Sequence, residues 1–302
     1  MEFDFLKPAK YTFFIALVLT IASIVLVFYP GPRLSIEFTG GTRLELKVAN
    51  PAATTATVND ALKRFTNTPL NAMVNKMQNG NYLVRMKGID NDIHKALLAY
   101  LKTPLGSFEQ VQYTTIGPTV GETLKVRALY AILAASLGII IYLAFAFRKI
   151  PRRYSPWKFG IVAVIALLHD VMVTAGIFTI MSYHSSFEVD TLFVTALLTI
   201  LGYSVNDTII IFDRIRDNLF VQERKETFAS IANRSINQVW KRSVYTSSAT
   251  LIMLFALLFM GSESIHWFVL TLILGIFFGT YSSIFIAAPF LVIWNDRKSV
   301  TS

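Results

Sequence analysis

The chain has 302 residues, 54% hydrophobic and only 16% charged, and no cysteine. That balance excludes an ordinary soluble domain, in which about a quarter of residues carry charge. The formal charge of +9 then reads as a guide to membrane topology and not as a nucleic-acid-binding surface.

Six apolar runs are long enough to span a bilayer, which takes about 20 helical residues. They are Tyr11 to Tyr29, Ala128 to Phe147, Phe159 to Met181, Thr191 to Phe212, Ser243 to Gly261, and a run from near Trp267 to near Trp294. Lys7 and Lys10 precede the first run. Arg148, Lys149, Arg152, Arg153 and Lys158 separate the second from the third. Arg214, Arg216, Arg224, Lys225, Arg234, Lys241 and Arg242 separate the fourth from the fifth, and Arg297 and Lys298 follow the sixth. The opposite loops, Ser182 to Asp190 and Ser262 to His266, hold no Lys or Arg. Both termini are therefore expected in the cytoplasm and residues 30–127 outside. Pro30-Gly31-Pro32 follows the first run without a small-residue cleavage site, which predicts an uncleaved signal anchor.

Three segments result: residues 1–29 as N-terminus and first span, 30–127 as an external domain, and 128–302 as a five-helix bundle with cytoplasmic loops. In the external domain, residues 34–49 alternate as a strand, with Leu44, Leu46 and Val48 on one face. A helix is predicted over Thr57 to Phe65, then a hairpin over 71–87 turning at Asn79-Gly80. A second helix, about Asp90 to Lys102, puts Ile93, Leu97, Leu98 and Leu101 on one face, and Phe108 to Ile116 reads as the last strand. The order βαββαβ predicts a ferredoxin-like α+β sandwich, which must fold without disulfides. Its entry segment, Glu37-Phe38-Thr39-Gly40-Gly41-Thr42, reads either as a turn into the first strand or as a hinge or substrate contact.

The chemistry lies in the spans. Asp207 stands in the fourth, roughly 9 Å before Asp213 at helical rise, and a carboxyl at that depth costs a few kcal/mol. It reads as a permanently bonded structural group or as a protonatable one. Arg242, at the start of the fifth span, is the candidate cation for it, or a residue that snorkels to the interface. Thr246, one turn on, either helps that pair or bonds back to its own helix. His169 and Asp170 sit near the centre of the third span, about 100° apart, so one is expected to line a polar cavity while the other packs on backbone. Asn206 adds another buried hydrogen-bonding group. Asp213, Arg214, Arg216 and Asp217 read as an interfacial ion cluster. Gly275, Gly279 and Ser282-Ser283 form a small-residue packing face on the sixth span. Residues 214–241 have the spacing of an amphipathic helix lying on the cytoplasmic surface. No phosphate loop, metal motif or nucleophile–base pair is present, so neither an enzyme nor a bound cofactor or metal is expected.

FTGGT at 38–42, LLHDVMVT at 167–174, GYSVNDTIIIFDRIRDN at 202–218 and WKRSVYTSS at 240–248 together resemble the SecF family of SecDF protein-export complexes, within the resistance–nodulation–division superfamily. The resemblance covers nearly the whole chain; the fourth-span motif is the specific one. It implies a multi-pass subunit of the bacterial plasma membrane that pairs with SecD and assists the SecYEG translocon, with YajC as a further associate. Exported unfolded polypeptide and membrane lipid would be its other partners, and the proton-motive force its energy source. It also implies that Asp207, Arg242, Thr246, His169 and Asp170 serve ion coupling. Glu37 departs from the Asp usual in the family at that place. On the residues alone, two other readings stay open: a half-transporter for small molecules, and a scaffold subunit that transports nothing. The coupling ion also stays open between proton and sodium.

Overall fold

The computed structural model describes residues 3–50, 53–65, 70–77, 79–151, 154–221 and 226–296. Gln78 of the expected hairpin and the basic residues Arg152, Arg153, Arg224, Lys225, Arg297 and Lys298 lie outside them. In chain order the elements are α1 (Ala9–Phe28), a one-turn helix α2 (Ile36–Thr39), β1 (Gly41–Val48), α3 (Thr55–Arg64), β2 (Met73–Lys76), β3 (Tyr82–Met86), α4 (Asn91–Leu105), β4 (Phe108–Ile116), α5 (Pro118–Ala146), α6 (Pro156–His184), α7 (Thr191–Phe220), α8 (Phe228–Met260), α9 (His266–Ser282) and α10 (Ala288–Asp296). They fall into two compact units. One comprises Met1–Pro32, Tyr130–Met181 and Leu192–Ser302, the other Arg33–Leu129 and Ser182–Thr191.

The second unit is an α+β domain. Its sheet runs β2-β3-β1-β4 with every pair antiparallel, in the βαββαβ order of a ferredoxin-like sandwich. The alternation along β1 buries Leu44 and Leu46, which join Tyr82, Val84 and Met86 of β3 under α3 and α4. Thr54 and Thr57 start α3 with a reciprocal capping box, and Asp90 starts α4 by accepting from the Ile93 N–H at 2.9 Å. Leu97, Leu101 and Leu105 form the buried stripe of α4. Ile93, expected on that stripe, lies in the first turn and is 40% exposed.

The first strand is shorter than the alternation suggests. Residues 36–39 coil because the Ser35 hydroxyl accepts from the Glu37 N–H at 3.2 Å, and Gly40, at φ +70°, ends the turn. Both glycines are needed there. A Cβ on Gly40 would lie 2.8 Å from Pro118 Cα, and one on Gly41, at φ +133°, would lie 2.9 Å from the Met86 carbonyl oxygen. Pro118 opens α5 at the position where a missing N–H costs nothing. Residues 118–127, read in the sequence as domain, are the first turns of α5 and belong to the α+β unit.

Six helices among the described residues are long and apolar enough to cross a membrane: α1, α5, α6, α7, α8 and the continuous α9–α10. In the helical unit, α6, α7 and α9–α10 are the most buried, while α1, α5 and α8 show lipid-like apolar faces. The small-residue face of α9 meets α7: a Cβ on Gly275 would lie 2.1 Å from Ile200 Cδ1, and one on Gly279 would lie 2.9 Å from Ser204 Cβ. A π turn, Ser283–Ala287, joins α9 to α10.

The expected surface helix over 214–241 does not form as a separate element. Its first part continues α7 to Phe220, and its last part opens α8. Phe228, Ile231 and Ile236 bury against Phe212, Ile215 and Leu219, so this apolar stripe covers protein instead of headgroups.

Two substitutions test this packing. Leu97→Ala, at a fully buried position, should cost the α+β domain about 2–5 kcal/mol, read as lost amide-exchange protection in β1 and β3. Gly275→Leu should overpack α7 against α9 by about 1–3 kcal/mol, read as faster thermal inactivation of the solubilised protein.

Candidate functional site

Among the described residues, two carboxyl groups are buried in the helical unit, each near the middle of its helix. Asp207 lies about 24 Å from the Thr191 end of α7 at helical rise, and it is 2% exposed. Its Oδ2 accepts from Ser247 Oγ of α8 at 3.2 Å and from Thr280 Oγ1 of α9 at 3.0 Å. The two hydroxyls also contact each other at 2.6 Å. Three oxygens thus make three contacts with only two hydroxyl protons. An ionised carboxylate can be served by two donors; a third proton, on Asp207, would close the triangle into a ring of three hydrogen bonds. Ser243, one turn before Ser247, is buried and turns its hydroxyl to the same carboxyl without closing a hydrogen bond of good geometry, so α8 offers Asp207 a further donor.

Asp170, fully buried in α6, is bonded differently. Its Oδ2 accepts from Ser204 Oγ of α7 at 2.5 Å and from Ser282 Oγ of α9 at 2.7 Å. Its Oδ1 lies 3.0 Å from His169 Nδ1. The adjacent His and Asp side chains therefore turn toward each other, contrary to the divergence expected from a 100° step. His169 Nε2 is buried without a partner, and the ring lines a mostly apolar cavity of about 500 Å³ with residues of α1, α6 and α10. Between the two acids, Thr208 and Ser283 share a hydrogen bond of 2.8 Å, linking α7 to the π turn.

The remaining sequence candidates lie elsewhere. Arg242 is exposed and makes no ion pair with Asp207 among the described residues. The reason is angular: five residues separate it from Ser247, the residue that meets Asp207, which turns it about 140° away around α8. Thr246 is also exposed, and its hydroxyl donates to the carbonyls of Arg242 and Ser243 on its own helix. Asn206, expected to be buried, is exposed one step around α7 from Asp207. At the end of α7, Arg216 pairs with Asp213 at 2.7 Å and Asp217 at 3.0 Å, whereas Arg214 donates to Gln238 of α8 at 2.5 Å. No group of three or more metal-ligating side chains occurs among the described residues.

The entry turn forms a second polar centre, inside the α+β unit. Glu37 Oε2 accepts from both the backbone N–H and the hydroxyl of Thr191, at 2.8 and 2.6 Å. The Ser35 N–H donates to the Val189 carbonyl, and the Val189 N–H to that of Arg33. Arg85 of β3 pairs with Glu188. Burial, then the charges of Arg43 and Arg33, hold the Arg85 guanidinium down at about 10, still a cation at neutral pH.

Sequence reasoning missed the hydroxyls that serve the acids: Ser204, Ser247, Thr280 and Ser282. The available signal was small polar residues at helical spacing in otherwise apolar segments, Ser243 with Ser247, and Gly279-Thr280 with Ser282-Ser283.

Comparison with known proteins bears on these positions. The family "Protein export membrane protein SecD/SecF, C-terminal" matches residues 96–297, and "SecD/SecF GG Motif" matches residues 26–52, which include Gly40 and Gly41. The protein translocase subunit SecF of Thermobaculum terrenum is 40% identical over 298 residues, covering 95% of this chain and 93% of that one. The SecF subunit of Sebaldella termitidis is 38% identical over 301 residues, covering 99% and 94%. The crystal structure of SecDF from Thermus thermophilus, described as a translocon-associated membrane protein, superposes with a TM-score of 0.86 at 33% identity. That match takes in 98% of this chain, which spans 39% of the SecDF chain. The chain belongs to the SecF family of protein translocase subunits.

Proposed function

We propose that this chain is the SecF partner of a SecD subunit in a bacterial plasma membrane, and that the pair assists the SecYEG translocon by using proton entry at Asp207 to draw exported polypeptide outward. Both termini then lie in the cytoplasm and the α+β domain outside. The observation that carries this reading is a carboxyl near mid-helix, 2% exposed, held by two hydroxyls and no cation among the described residues. Asp207 meets two hydroxyls that also meet each other, an arrangement that a proton on the acid closes into a ring.

A proton on Asp207 closes its triangle with Ser247 and Thr280 into a ring and its loss opens that ring, so the bonds to α8 and α9 change with the charge of the acid. A proton crossing the membrane supplies about 2.3 kcal/mol per 100 mV, enough to bias two packings that differ by a few kcal/mol. A partner chain is supported by what the helices leave uncovered. Arg242 and Asn206 are exposed on α8 and α7, and charged or amide groups at membrane depth need polar company that lipid does not offer.

Asp207→Asn should abolish stimulation of export by a pH gradient in membrane vesicles while the variant still co-purifies with SecD. Undiminished stimulation would reject proton entry at this residue, and stimulation by a sodium gradient in the native protein would reassign the ion. Replacing both donors, as Ser247→Ala with Thr280→Val, should slow proton-driven export about tenfold or more, because hydrogen bonds to a charged group contribute about 1.5–3 kcal/mol.

A further inference from the structure

The segment between α6 and α7 is not a free loop. Residues 182–191 belong to the α+β unit, and bonds of at least three kinds hold them there. The first is a short parallel bridge: Leu34 pairs with Val189, with backbone bonds of 2.9 and 2.8 Å on either side. The second is the ion pair of Arg85 with Glu188. The third is the double hydrogen bond from Thr191 to Glu37. Thr191 is the first residue of α7, where backbone N–H groups have no partner inside the helix and the helix dipole favours a negative charge. A carboxylate contributed from 154 positions earlier in the chain meets both needs.

The same turn grips a second helix start. Gly40 follows Glu37 by three residues, and a Cβ on Gly121, in the first turn of α5, would lie 2.8 Å from the Gly40 nitrogen and 3.2 Å from the Phe38 carbonyl. The turn 35–41 is thus a joint at which the starts of α5 and α7 are fastened, α5 by close backbone packing and α7 by the Glu37 carboxylate.

We propose that Glu37 is a positioning residue for transport: it holds the start of α7, the helix that carries Asp207, on this joint. The inference rests on the proton-entry reading above. With Glu37 in place, a displacement of α7 that follows protonation pulls on the entry turn. Without it, Thr191 loses both of these bonds, and the hold of the turn on the start of α7 loosens.

The absence of cysteine makes the test direct, because any thiol found in this chain is an introduced one. The first readout needs no transport. In the assembled complex in membrane vesicles, Val189→Cys should react slowly with a water-soluble maleimide, and adding Glu37→Leu should speed the reaction about tenfold, the effect of losing a charge-assisted hydrogen bond. Glu37→Gln keeps an acceptor oxygen and should fall between the two. An unchanged rate in Glu37→Leu overturns the inference, whatever export does.

The second readout is rescue. Leu34→Cys with Val189→Cys should form a disulfide across the bridge, because strand pairing brings Cα atoms to about 4.5–5.5 Å, within the roughly 4.4–6.8 Å that a disulfide spans. In a Glu37→Leu background, pH-gradient-dependent export should drop several-fold when the pair is reduced and recover when it is oxidised. Failure of the disulfide to form, or formation without recovery, also overturns the inference. An Asp207→Asn control separates the two claims. If it exports normally, the proton-entry reading fails; if it is inactive while Glu37→Leu exports normally, only the role of Glu37 fails.

Discussion

A carboxyl group removed from water must be met by donors from the protein, and two such groups dictate how the helices of this chain pack. Asp170 draws on α6, α7 and α9; Asp207 draws on α8 and α9. Serine and threonine are short, so their hydroxyls reach across only when backbones come close. Gly275 and Gly279 allow that closeness between α9 and α7, and the interior of the unit is dense where the acids sit. The small-residue face and the buried acids are thus one requirement seen from two sides. A larger residue on α9 would separate Thr280 and Ser282 from their carboxylates as well as strain the packing.

The sequence disclosed the acids and misplaced their partners, and the reason is instructive. Asp207 stands out because a carboxylate in an apolar run has a large desolvation cost that residue type alone reveals. Arg242 was matched to it by sign and depth, but contact also depends on angle around the helix, and five residues from Ser247 is the wrong angle. The true donors carry no such mark. In apolar helices most Ser and Thr hydroxyls bond back to a carbonyl three or four residues earlier, as Thr246, Thr250 and Ser235 do here. Nothing in the sequence separates those from Ser247 or Thr280, which reach a neighbour.

In the α+β unit the hydrophobic alternation and the capping residues were enough for the sandwich. Leu44, Leu46 and Val84 fall on one face by period two, and Thr54 and Asp90 mark helix starts by their side chains. The alternation failed only at residues 34–40, where the Ser35 cap and the positive φ of Gly40 override strand propensity. It also gave no hint that residues 182–191 join this unit, because pairing between segments about 150 positions apart leaves no local pattern. The reading of residues 214–241 failed for a related reason. An amphipathic stripe records that one face is covered, not whether lipid or protein covers it.

The π turn at Ser283–Ala287 sets the rotation of α10 relative to α9. One extra residue in a helical turn advances everything after it by about 100° relative to a regular α-helix. Upstream, Thr280 and Ser282 are phased to the acids; downstream, Ala288, Leu291 and Val292 are phased to the aromatic core around Phe159 and Phe212. A single unbroken helix could not satisfy both directions with this spacing. The bulge therefore acts as a phase adjuster between a polar layer and an apolar one. The length of this segment therefore matters more than its composition: losing one residue there would turn Leu291 out of the core without touching any residue that meets a carboxylate.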